Sequence, residues 1–66
     1  MFAVIELQKT ETLATLVDTY ATRAEADSKF HAILSAAAVS SIPIHSAVII
    51  DENGLLMANG TYTHEG

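Results

Sequence analysis

Apolar and polar residues alternate from Met1 to Gln8, with Met1, Ala3, Ile5 and Leu7 on one side and Phe2, Val4, Glu6 and Gln8 on the other. A period of two predicts a strand. Lys9-Thr10-Glu11-Thr12 is polar and predicts a hairpin loop, although it lacks glycine. Leu13 to Tyr20 alternates again, Leu13, Thr15, Val17 and Thr19 against Ala14, Leu16, Asp18 and Tyr20. β-branched residues are dense there, which predicts a second strand. A helix over residues 11–20 is the competing reading of that stretch.

The period becomes helical at Thr22. Thr22 with Glu25 three positions later forms a capping box, the hydroxyl taking the N3 amide while the carboxylate reaches back. Ala26, Phe30, Ile33, Leu34 and Ala37 then recur as one apolar stripe, with Asp27, His31, Ser35 and Ala38 along its edge. The helix must stop near Ser41, because Pro43 pushes Ile42 away from helical geometry. In the run Ala36-Ala37-Ala38 the small side chains serve close approach, within one subunit or to a second helix.

Ile44 to Ile50 is nearly continuous and apolar, as suits a strand buried on both faces. Asp51-Glu52-Asn53-Gly54 predicts a hairpin turn, Leu55 to His64 the returning strand, and Glu65-Gly66 a tail. The prediction is a single α+β domain over residues 1–66 in the order ββαββ. Two hairpins are joined by one helix, making a four-stranded, mostly antiparallel sheet covered on one face.

Composition adds an oligomer to this picture. A domain of 66 residues buries only about 60% of its unfolded surface, and this one has no Cys to staple it. Yet 50% of its residues are hydrophobic. The simplest resolution is a homo-oligomer whose subunits cover one another's apolar faces, and a sheet with one bare face repeats the argument from topology.

Charge narrows the partners. The formal net charge is −5 and the permanent side-chain cations are Lys9, Arg23 and Lys29, so a nucleic-acid polymer would be repelled. A small anion remains admissible at a helix N-terminus with a few donors. No run approaches the ~20 apolar residues of a membrane span, and Glu6 interrupts an apolar start that no basic region precedes. The expectation is a cytoplasmic protein without membrane contact.

Chemistry concentrates at the second hairpin. A two-residue Asn53-Gly54 turn pairs Glu52 with Leu55 and therefore sets His45 opposite Tyr62, with Ala47, Ile49, Ala58 and Gly60 on the same face and His64 two positions beyond. Two imidazoles and a phenol at one end of a hairpin form either a ligand-binding, proton-carrying cluster or a plain polar edge. The three histidines lack metal-site spacing, and no metal or other cofactor is expected. No Gly-x-Ser-x-Gly elbow, Ser–His–acid order or phosphate-binding glycine loop is legible, so no catalytic residue is assigned. Asn59-Gly60-Thr61 matches a glycosylation sequon, which means nothing without secretion.

The pattern Phe30-His31-x-x-Leu34-x-x-Ala37-Ala38-Val39-Ser40, then His45-Ser46-Ala47-Val48, an acidic glycine turn and a final Tyr62-x-His64-Glu65 resembles a family of small, largely uncharacterised proteins from phages and prophages of gut Firmicutes. In form it is similar to the phage "sponge" proteins, small oligomers that sequester cyclic or ADP-ribose-derived nucleotide signals of immune systems such as Thoeris and CBASS. The resemblance implies a non-catalytic nucleotide binder working against anti-phage defence in the host bacterial cytoplasm. Its ligand would be held by Arg23, His31, Ser35, His45, Tyr62 and His64. Tyr20, Tyr62 and Phe30 supply stacking surfaces, while Arg23, Lys29, the histidines and the first helical amides supply donors. So few cations per subunit would require several subunits to contribute. The alternatives are an interaction module docking through an apolar sheet face and a small hydrolase with His45 or His64 as acid or base.

Overall fold

A computed structural model describes residues 1–64; the expected tail at 65–66 lies outside them. The elements are β1 (Phe2–Lys9), β2 (Leu13–Tyr20), α1 (Arg23–Val39), β3 (Ile44–Asp51) and β4 (Leu56–Thr63). The ββαββ order is as expected, and residues 11–20 contribute a strand, not a helix. All three strand pairings are antiparallel, and the strands lie in the order β2-β1-β3-β4. The two hairpins therefore meet through β1 and β3, which form the middle of the sheet.

The helix begins where its sequence says it should. Thr22 is extended, and its hydroxyl oxygen accepts from the Glu25 amide at 3.3 Å. The return contact differs from the capping box. The Glu25 carboxylate takes the Thr22 hydroxyl proton at 3.0 Å instead of the backbone amide, so the cap is tightened through one side chain. Ser40 closes the other end, its amide donating to the Ala37 carbonyl.

The alternation of β1 places Phe2, Val4, Glu6 and Gln8 beneath the helix. Register carries this face across β3 and β4, because Val4 pairs with Ile49, Glu6 with Ala47 and Gln8 with His45. Ala26, Phe30 and Ile33 of the helix close on Val4, Ala47 and Ile49, with Phe2, Tyr20, Leu34 and Ala58 at the margin. Ala26, Ala37 and Ala47 are fully buried, which sets the short distance between helix and sheet. Of the run Ala36-Ala37-Ala38, the middle residue alone is buried within the chain. Gly60 serves the same end on β4, where Leu34 packs over its Cα; a Cβ there would lie 2.7 Å from Leu34 Cδ1.

The second turn corrects the expected one. Three residues, Glu52 to Gly54, separate a closing pair in which the Asp51 amide donates to the Leu55 carbonyl. The Asp51 carboxylate accepts from the amides of Asn53 and Leu55, both at 2.9 Å. Gly54 then takes φ +82°, a left-handed conformation that L side chains avoid. Ile50 consequently faces Leu56 instead of Met57, and the shift between Ile49 and Ile50 absorbs the difference. Beyond that irregularity the expected register returns, with His45 opposite Tyr62 and Ala47 opposite Gly60.

The run Ile44 to Ile50 was expected to be covered on both faces, and in one copy it is not. Helix α1 covers His45, Ala47 and Ile49, whereas Val48 and Ile50 point to the other side and are half-buried. That open side carries Ile5 and Leu7 from β1, Val48 and Ile50 from β3, and Val17 from β2. Thr15, Thr19, Ser46, Asn59, Thr61 and Thr63 fill in around them. None of the seven carboxylates among the described residues is on it. Glu6, Asp18 and Asp51 face the helix side, Glu25 and Asp27 are on α1, and Glu11 and Glu52 are in loops. Lys9, at one end, is the single charged side chain that the described residues place on it.

Candidate functional site

The histidine cluster forms at the junction of the helix C-terminus with β1, β3 and β4, and its partners differ from those the sequence suggests. His45, 3% exposed, points under the helix. Its Nε2 lies 2.6 Å from Glu6 Oε2 on β1, and its Nδ1 lies 3.3 Å from Ser40 Oγ at the helix end. Gln8 Nε2 donates to the same Glu6 oxygen at 2.9 Å. Proton positions follow from these partners. Nε2–H donates to the carboxylate, and Nδ1 accepts from the Ser40 hydroxyl, which itself accepts from the Ile42 amide at 3.3 Å.

Burial pushes the Glu6 carboxyl up. The hydrogen bonds from Gln8 and His45, with the positive charge of Lys29, more than offset it and hold the group below its ordinary range. The carboxylate is thus kept ionised by an environment built for it.

His64 Nε2 donates to the Ala37 carbonyl at 2.8 Å, and its own amide donates to the Pro43 carbonyl at 2.7 Å. It therefore fastens the end of β4 to the last turn of α1. Tyr62 sits opposite His45 in the ladder but remains 42% exposed. Of the six predicted ligand-binding residues, His45, Tyr62 and His64 come together here. The others do not join them. His31 and Ser35 are exposed along the helix, His31 lying edge-on to Phe30 with ring centroids 5.5 Å apart. Arg23 is at the opposite end of the helix from the Ala37 turn, roughly 20 Å away at 1.5 Å per residue. Its Nε is held by Asp27 Oδ1 at 2.8 Å.

Sequence reasoning missed Glu6, Gln8 and Ser40. The available signal was the alternation of β1, which puts a carboxylate on the same face as Val4. Which partner that carboxylate meets depends on the β1–β3 register, set by residues 39 apart in sequence.

Ser40, His45 and Glu6 line up as a hydroxyl, an imidazole and a carboxylate, the order of groups in a hydrolytic relay. The setting opposes that chemistry. Ser40 caps a helix C-terminus, where carbonyl oxygens and the negative end of the dipole surround it and would repel a developing oxyanion. The cluster is a strut joining helix end to sheet. Among the described residues no group of three His, Asp or Glu side chains is placed to hold a metal ion, one copy encloses no pocket, and no helix is long and apolar enough to cross a membrane. In comparisons with known proteins, no family model, curated protein or solved structure matches the chain.

Proposed function

We propose that this protein is a non-catalytic, self-assembling interaction module whose binding surface is the open face of its sheet. One observation carries the reading: a contiguous face centred on Ile5, Leu7, Val48 and Ile50 that bears no described carboxylate in a chain of net charge −5. Apolar patches of more than a few hundred Å² mark contact surfaces. Four strands of eight residues make a face of about 500 Å² at ordinary strand spacing. Two such faces stacked reach the ~1,000 Å² that a specific interface needs.

A second copy is the occupant that fits. Its own face is free of described carboxylates, so stacking brings none of them into opposition. The nucleotide-sequestering reading draws less support, since Arg23 and Lys29 pair with Asp27 and Asp18 and the predicted ligand residues are spread along the length of the helix. The test places a cation at the centre of the face. Ile5→Lys should reduce the assembled mass measured by light scattering, while Ser35→Lys on the exposed helix should not. Unchanged mass in Ile5→Lys, with a native circular dichroism spectrum, would overturn the reading.

A further inference from the structure

The free edge of β2 is a second exposed surface, distinct from the face proposed above. We propose that β2 pairs antiparallel with β2 of a second copy about a two-fold axis through Leu16, extending the sheet from four strands to eight.

The two edges of the sheet are unlike. On β4 the ladder is interrupted at Ile49/Ile50 and the strand contains Gly60, features that twist an edge away from intermolecular pairing. β2 has neither. Its register with β1 runs unbroken from Leu13 to Tyr20, and it contains no Pro, Gly or Lys. Every residue from Leu13 to Thr19 is exposed, and Leu13, Leu16 and Val17 are each 58% exposed. Such a strand is a template for another strand.

Self-complementarity identifies the partner. A two-fold axis perpendicular to the sheet keeps the helices on one side, so paired residues must share a face. Centred on Leu16, the pairing sets Leu16 against its own mate, Ala14 against Asp18, Thr15 against Val17 and Leu13 against Thr19. The one charge on the strand then meets a methyl group and keeps its contact with Lys29 (3.8 Å). Centring on Val17 would instead set each Asp18 against Leu16, a carboxylate on the largest apolar side chain. Of these two registers, charge favours the first, which also pairs all seven residues from Leu13 to Thr19. Edge pairing also doubles the open face, and two eight-stranded sheets stacked through it close a tetramer with 222 symmetry.

The absence of native cysteine makes the test clean. In the proposed register the Leu16 positions lie about 5 Å apart at Cβ, whereas the Ala14 positions are offset by four residues, about 13 Å. Under mild copper–phenanthroline oxidation, Leu16→Cys should form a covalent dimer at least tenfold faster than Ala14→Cys. Equal rates would overturn the proposal. Leu16→Lys supplies a second readout at an exposed position, and should halve the assembled mass while circular dichroism stays native. If Leu16→Lys assembles like wild type while Ile5→Lys dissociates, the edge contact falls and the face contact stands. The reverse pattern removes the face contact and leaves the edge.

Discussion

His45 on β3 and Glu6 on β1 meet at 2.6 Å between Nε2 and Oε2, joining the two hairpins beneath the last turn of the helix. The pair predicts acid sensitivity of known sign. Glu6 is held below its ordinary value of 4.5 in the folded chain, so the unfolded chain binds more protons as pH falls past that value. Stability is fully present above the ordinary value and is lost as pH drops through the lowered one. Urea midpoints across the acid range should fall less steeply for Glu6→Gln than for wild type. An identical slope would show that Glu6 does not contribute.

Removing the imidazole tests the same strut from the other side. His45→Ala leaves a mostly buried carboxylate with one partner fewer and should cost about 2–3 kcal/mol. The double variant with Glu6→Gln should lose less than the sum of the two single changes, measured as a double-mutant cycle.

The local elements of this fold are legible because their signals are local. Thr22 with Glu25 marks the helix start, Pro43 its limit, and alternation marks Leu13–Tyr20 to the residue. The second turn misleads because Asn53-Gly54 suggests a two-residue loop. The left-handed conformation at Gly54 alone fits the three-residue loop that the Asp51 carboxylate organises. The site was half legible. His45 and Tyr62 follow from hairpin register, whereas Glu6 enters through a pairing between hairpins that no local pattern encodes.

Gly54 should therefore tolerate Asn better than Ala. Gly54→Ala places a Cβ at φ +82° in open space, so its cost is backbone strain alone, about 1 kcal/mol. Chemical denaturation of both variants checks this, and equal losses would contradict it.

At Gly60 the obstacle is a neighbour. Gly60→Val drives atoms into the Leu34 side chain, whose Cδ1 already lies 2.7 Å from an added Cβ. The expected loss is about 1–3 kcal/mol. Combining it with Leu34→Ala should recover part of that loss, since the shortened side chain vacates the space. A fully additive pair would show that the contact does not determine the glycine.

Self-association through the open face is the central claim, and the mass of the native protein in solution tests it most directly. Sedimentation equilibrium over a micromolar concentration series should return an even multiple of the 7.0 kDa chain, with dissociation only on dilution. A folded chain that stays at 7.0 kDa across the whole series would contradict the account.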